Sequence, residues 1–309
     1  MKIITLTLSP AFDLHCYAKE ICVGHENLAT VIRREAGGKG VNISRALRAN
    51  SKDSLCLALL GEENGDEFKK SLASYGLELY TLTLSGRIRE NITLHTESGK
   101  ETRISFKGFS ADPSVLDRIA EQLEKIGLSD ATVTFTGRAP TGIGISRIKD
   151  FLKALQRKGA RIVIDSRSFT LSDLTDCSPY LIKPNEEEIS AYMGRNISTQ
   201  TEAAEVGRAI CKTGVENVMI TLGDRGAVLV SSRGVWTATP PRIDVVSTIG
   251  AGDSSIAGFL SAISEGADES QALRLAVAFG SAACLTVGTL PPRKEDVDRI
   301  LSQVKINRI

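Results

Sequence analysis

Apolar residues along this chain change their period several times, and each change marks an element. Lys2 to Leu8 is a near-continuous apolar run closed by Ser9-Pro10, the pattern of a strand buried on both faces. Leu55 to Leu60 has the same character, and Asp66 to Tyr75 then takes a helical period stopped by Gly76. Asn91 to Phe106 differs. Ile92 and Leu94 alternate with polar residues, Ser98-Gly99-Lys100 turns the chain, and Thr102 to Phe106 alternates back. That predicts a hairpin with one wet face, which has no place in a sheet covered on both sides. The helical period returns at Asp112-Pro113, with Asp112 as cap, Pro113 in the first helical position and an amphipathic run from Val115 to Ile126 ending at Gly127. Strands are then predicted at Ala131 to Thr136, Arg161 to Asp165, Tyr180 to Ile182, Val218 to Leu222 and Ala227 to Val230. Helices are predicted near Ser146 to Lys158, Thr201 to Lys212, Glu269 to Leu285 and Lys294 to Val304.

This alternation implies an α/β fold, a right-handed, mostly parallel sheet with helices on both faces. The hairpin, with part of residues 14 to 35, is assigned to a small β lid over the sheet's edge. The expected division is a main domain of residues 1–12, 37–86 and 107–309 and a discontinuous lid of residues 13–36 and 87–106.

Composition narrows the function. The 309 residues are 42% hydrophobic, enough for a full core, and 38 basic against 37 acidic residues leave a net charge of +1. Such a balance carries no footprint for nucleic acid or a membrane surface, so any anion site must be local. Six cysteines without a CxxC pair suit reduced thiols in a cytoplasm. Met1 to Leu8 has no basic leader, and no segment approaches ~18 uninterrupted apolar residues, so neither secretion nor membrane spanning is expected.

The glycines locate the candidate chemistry. In Ser247-Thr248-Ile249-Gly250-Ala251-Gly252-Asp253-Ser254 a glycine loop opens a helix whose apolar stripe is Ile256, Phe259, Leu260 and Ile263. Glycine permits close backbone approach, and the helix start adds unpaired donors at a positive dipole end, so an anion, most simply a phosphate, belongs there. Asp253 beside it is either a base for an attacking hydroxyl or a helix cap. A second loop, Gly37-Gly38-Lys39-Gly40-Val41-Asn42, offers backbone and the Asn42 amide to a hydroxylated ligand, but it is not a Walker loop. Asp13, just past the first strand, could hold substrate hydroxyls or cap a turn. Arg87, Arg89 and Arg103 flank or lie on the hairpin, where their guanidinium forks could converge on a phosphate or remain solvated. Asn185 and Glu188, on one side of a helix's first turn, could hold a hydrated Mg2+, although three adjacent glutamates also suit a helix start. Gly223 and Gly226 could border a nucleotide or make a tight turn.

Four stretches together resemble the ribokinase-like (PfkB) carbohydrate kinases, in order and over the whole chain: Gly-Gly-Lys-Gly-Val-Asn at 37–42, Lys-Pro-Asn-x-x-Glu at 183–188, Thr-Leu-Gly-x-x-Gly at 221–226 and the octet at 247–254. The resemblance implies a ribokinase-like doubly wound domain with a β lid, ATP as donor, Mg2+, and a homodimer formed through the lid. Ser-Pro-Ala-Phe-Asp at 9–13, Gly-Arg-Ile-Arg-Glu-Asn-Ile at 86–92 and Ser247 are similar to its phosphosugar branch. The implied substrate is a ketohexose monophosphate, with fructose 1-phosphate first and tagatose 6-phosphate or fructose 6-phosphate as alternatives. A rival of another class is a catalytically idle sugar-phosphate-binding regulator. Carried over by position, Asp13, Gly38, Lys39 and Asn42 would bind the sugar, and Arg89 and Arg103 its phosphate. Lys183, Asn185, Glu188, Thr221, Gly223 and Gly226 would serve the nucleotide, with Asn185 and Glu188 organising Mg2+ through water. Gly250, Ala251 and Gly252 would form the anion hole and Asp253 the base. The chain departs from the branch at Ser9-Pro10, usually Asn-Pro, and at Thr136-Gly137-Arg138-Ala139-Pro140, where Arg138 replaces a hydroxyl residue beside the substrate phosphate.

Overall fold

In the computed structural model, which describes every residue except Lys100, the chain begins with β1 (Lys2–Thr7), β2 (Ala11–Ala18), β3 (Thr30–Gly37), α1 (Lys39–Ala49) and β4 (Leu55–Gly61). It continues with α2 (Gly65–Leu72), β5 (Glu78–Leu84), β6 (Arg89–Thr96), β7 (Glu101–Ile104), α3 (Val115–Ile126), β8 (Ala131–Thr136), α4 (Ile145–Arg157) and β9 (Arg161–Asp165). Then come α5 (Leu171–Cys177), β10 (Leu181–Ile182), α6 (Glu186–Met193), α7 (Gln200–Cys211), β11 (Asn217–Thr221), β12 (Ala227–Ser231) and β13 (Gly234–Thr239). Last are α8 (Ala251–Ser264), α9 (Glu269–Ala283), α10 (Lys294–Leu301) and β14 (Lys305–Arg308).

Among the described residues, ten strands form one sheet in the order β14-β13-β12-β11-β10-β9-β8-β1-β4-β5. From β10 to β5 neighbouring strands run parallel, and β11 to β14 pair antiparallel at the far edge. β1 lies between β4 and β8, so chain order reverses there, and ligands of open α/β sheets bind at the carboxyl ends of the strands around such a switch.

Alternate side chains of the central strands feed two cores. Ile4 and Leu6 join Val133, Phe135, Ile148, Phe151 and Val206 on the side of α3, α4 and α7. On the other side Ile3 and Val163 join Ile43, Leu47, Phe259 and Phe279 beneath α1, α8 and α9. α1 comes very close to β1 because Gly40 has no side chain: a Cβ there would stand 2.5 Å from Thr7 Oγ1 and 2.6 Å from the Leu6 carbonyl. The Val41 N–H also donates to Thr7 Oγ1 at 2.9 Å, so the first turn of α1, which includes Asn42, is held at the carboxyl end of β1.

A separate four-stranded sheet, β3-β2-β6-β7, has β2 parallel to β6 and both outer pairs antiparallel. Phe12, Ala36 and Ile88 seat it on Val41 and Phe68. The expected hairpin is β6 with β7; its turn residue Lys100 lies outside the described residues.

Several local expectations are corrected. Asp112 does not cap α3 and Pro113 is not its first residue: Asp112 Oδ1 accepts the Ser114 N–H (2.9 Å), closing a turn before a helix that starts at Val115. The last helix stops at Leu301, not Val304, because Lys305–Arg308 pairs with β13.

Candidate active site

The glycine loop at 250–252 does open a helix. Gly250 is the N-cap residue of α8 with φ +80°, a left-handed conformation only glycine adopts cheaply, and it leaves the first N–H groups of α8 uncapped by any side chain. Asp253 sits in the first turn of α8 but does not cap it. Its side chain is buried and turned toward α1, where Asn42 Nδ2 donates to Asp253 Oδ2 at 2.9 Å. Burial raises its pKa to about 6. The Asp165 charge acts in the same direction, against the lowering effects of Lys39, the Asn42 amide and Lys183. A carboxylate with that pKa is ionised at neutral pH and is a far stronger base than a solvated one.

Around Asp253 lies a buried charge cluster. Lys39, the first residue of α1, donates from Nζ to Asp165 Oδ2 at 2.8 Å, and Lys183 Nζ stands 3.8 Å from Asp165 Oδ1. Burial works against the Lys39 ammonium, but Asp165 and Asp253 hold it protonated well above its usual range. Burial likewise works against an ionised Asp165, and the charges of Lys183 and Lys39 outweigh it, so its pKa is lowered. Lys183 reaches the anion loop itself, since a Cβ on Gly252 would lie 3.1 Å from its Nζ.

Asp13, on β2, accepts from Asn91 Nδ2 at 3.0 Å, and a Cβ on Gly37 would lie 2.7 Å from its other oxygen, so glycine there leaves that oxygen accessible. Gly38, the N-cap residue of α1, has φ +139°, and a Cβ there would meet Thr7 Cγ2 at 2.5 Å. Arg89 is half-buried and engages only carbonyls, of Ser9 and Phe106, both at 3.3 Å, while its Nε has no partner. Its pKa is lowered by burial and then by the like charge of Arg138. The Asp13 charge opposes both effects, but no carboxylate is hydrogen-bonded to Arg89. Arg103 does not join Arg89: it lies opposite Thr93 on β7, exposed and four residues along the strand from the level of Arg89, roughly 13 Å. Arg87 is exposed too, 3.9 Å from Glu90. Asn42 Oδ1 and Asn91 Oδ1 are also buried without partners. Buried polar atoms left without partners in these three side chains call for a polar partner.

At the start of α6, Asn185 and Glu188 form a reciprocal capping box. Asn185 Oδ1 accepts from the Glu188 N–H (2.8 Å), and Glu188 Oε2 from the Asn185 N–H (3.1 Å). Glu188 Oε1 also accepts from Arg167 Nε at 2.9 Å. The Thr221 N–H donates to the Pro184 carbonyl at 3.1 Å, which ties the two segments together. Gly223 (φ +62°) has open space where a side chain would be, whereas Gly226 (φ +88°) makes the tight turn, with the Ala238 carbonyl 1.9 Å from any Cβ. An open cleft lined by Asn185, Thr221, Gly223, Pro240, Val245 and Gly252 runs from these residues to the anion loop.

Two residues of the cluster were not singled out from sequence. Asp165 carries the same signal as Asp13, a carboxylate at the carboxyl end of a strand. Arg167 carries no such signal, and only its bond to Glu188 reveals it.

The family described as pfkB family carbohydrate kinase matches residues 7–296. The chain is 32% identical over 283 residues, 91% of its length and 90% of the relative's, to a protein named 1-phosphofructokinase of Escherichia coli K12. It is 31% identical over 309 residues, 99% of its length and 100% of the relative's, to the 1-phosphofructokinase of Bacillus subtilis 168. The crystal structure of phosphofructokinase-2 from Escherichia coli in complex with substrates and products superposes with a TM-score of 0.90 at 27% identity, covering 98% of this chain and 99% of that one.

Proposed function

Because the chain belongs to the pfkB family of carbohydrate kinases, and two relatives are named 1-phosphofructokinase, we propose that it transfers the γ-phosphoryl group of ATP to a primary hydroxyl of a ketohexose monophosphate, fructose 1-phosphate first. The observation that carries the phosphosugar reading is Arg89: half-buried, it makes only two long bonds to carbonyls and its Nε has no partner, while the like charge of Arg138 acts on it and Asp13 opposes that charge. A guanidinium fork left open in this way matches phosphate geometry. The sugar's hydroxyls then lie toward Asp13, Gly38 and Asn42, and its reacting hydroxyl toward Asp253. Asp253 takes the proton as the hydroxyl oxygen bonds to the γ-phosphorus and the bond to the β–γ bridging oxygen breaks, releasing ADP. The N–H groups at Gly250, Ala251 and Gly252 meet charge developing on the phosphoryl oxygens.

Asn185 and Glu188 suit an outer role toward Mg2+. Their capping oxygens are engaged in the box and with Arg167, and no cluster of three or more His, Cys, Asp or Glu side chains suited to a metal occurs among the described residues. They would orient water on an ion carried by the nucleotide phosphates, which neutralises phosphate charge when bound. The small sheet is read as a lid and, with Val31, Ile32, Ile104 and Phe106 exposed on or beside it, as the surface that meets a second copy. Six free cysteines and the substrate class support a cytoplasmic setting, and no helix among the described residues is long and apolar enough to cross a membrane.

Arg89→Ala tests the phosphosugar reading. Losing one charge-assisted contact of about 1.5–3 kcal/mol should raise KM for the phosphosugar about 10- to 150-fold while KM for MgATP holds. Equal loss toward a phosphate-free hexose would contradict it.

A further inference from the structure

We propose that Asp165 is a positioning residue for phosphoryl transfer: one buried carboxylate holds Lys39 and Lys183 on its two oxygens and aims both toward the gap between Gly252 and Asp253, where the phosphoryl group passes. This rests on the reading of Asp253 as base.

The geometry sets Asp165 as a joint between the two halves of the site. Lys39 opens α1 and ends on Oδ2 at 2.8 Å; Lys183 follows β10, leads into the segment that starts α6 and faces Oδ1 at 3.8 Å. The Asp165 and Lys183 side chains are only 3% and 4% exposed, whereas Lys39 is 35% exposed. A long ammonium side chain has many rotamers, and a fixed carboxylate selects one for each. Lys183 is thereby held against Gly252, and Lys39 across from Asp253. Two carboxylates and two ammoniums also leave this mostly buried quartet neutral, so cations can wait at an anion site without drawing Asp253 into a salt bridge. Asp253 indeed hydrogen-bonds to Asn42, and both lysines pair with Asp165.

A second consequence is electrostatic. The charged and polar groups facing Asp253 are Lys39 and Asn42 from α1, Asp165 from β9 and Lys183 after β10, and of these only Asp165 favours the protonated carboxyl. Glu188 acts on Lys39 at longer range and is itself paired with Arg167. Asp165 therefore makes Asp253 the stronger base while directing the cations elsewhere.

The test is the pH–rate profile of Asp165→Asn with MgATP and fructose 1-phosphate at saturation. Turnover is expected to fall ~10- to 100-fold as both lysines lose their anchor, and the acid limb to move to lower pH by ~0.5 unit or more. A purely structural role would lower turnover and leave the limb in place, which overturns the proposal. Asp165→Glu keeps the charge and moves it by one methylene, so it serves if the asparagine form does not fold. Its limb should stay at the wild-type position while turnover drops, and full turnover would overturn the proposal. A wild-type profile with no acid limb would instead remove the reading of Asp253 as base.

Discussion

Replacing Asp253 by asparagine should separate activity from stability in opposite directions. A general base contributes about 10²- to 10⁴-fold to rate, or about 3–5 kcal/mol, so turnover should fall by at least two orders of magnitude. Stability should rise. The carboxyl ionises near 3.8 when unfolded and at about 6 when buried in the fold, so the folded state binds the proton more tightly. Above pH 6 both states are ionised and the fold carries the whole penalty, about 2 pKa units or about 3 kcal/mol. Below 3.8 both are protonated and the penalty is absent. Asparagine fills nearly the same volume and remains a hydrogen-bonding neighbour for Asn42 without the charge. At pH 7.5 the variant should therefore melt up to about 4–5 °C higher in a chain of this length, and the gain should shrink toward pH 4. Thermal melts at both pH values beside ADP-release assays check this. Turnover within tenfold of wild type, or a lower melting temperature at pH 7.5, would refute the description of Asp253 as a strained, functional base.

The same pKa predicts that the rate of the unmodified enzyme climbs as pH rises through about 6, falling about tenfold per unit below it, in a steady-state pH–rate profile. Gly226→Ala should cost more than ~3 kcal/mol in a denaturant melt, because the positive φ and the Ala238 carbonyl at 1.9 Å leave no room for a methyl group. Ile32→Asp on the small sheet should halve the mass seen by light scattering if a second copy sits there, while the melting temperature stays near wild type.

Much of the fold could be read from the chain because its central strands are buried on both faces and appear as plain apolar runs. Leu55–Gly61 and the centre of Arg161–Asp165 are of this kind, while Lys2–Thr7 and Ala131–Thr136 mix apolar residues with buried threonines. Edge strands lack that mark. Thr30–Gly37, mostly exposed or half-buried, falls in the segment assigned to the β lid but shows no strand bounds of its own, and Lys305–Arg308, with two basic residues, does not read as a strand. The glycine loops were legible because positive φ and close approach demand glycine whatever surrounds it, as at Gly250 and Gly40. What sequence could not resolve was direction. Asp253 can cap or face a ligand depending on which way its side chain turns, and the contact with Asn42, 211 residues away, shows it turned away from the helix end. Arg87, Arg89 and Arg103 look alike in sequence, yet Arg89 is half-buried whereas Arg87 and Arg103 are exposed. Asp165 is invisible as part of a network until Lys39 and Lys183 arrive from distant segments.

The central claim is that an anion pocket at Arg89 and Arg138 presents a phosphosugar to Asp253. ADP release from MgATP with fructose 1-phosphate, tagatose 6-phosphate, fructose 6-phosphate and free fructose tests it most directly. Turnover on a phosphoketose, fructose 1-phosphate first, with kcat/KM for free fructose lower by two orders of magnitude or more, is the predicted result. Equal turnover of free fructose, or none on any phosphoketose by a folded protein that binds MgATP, would contradict it.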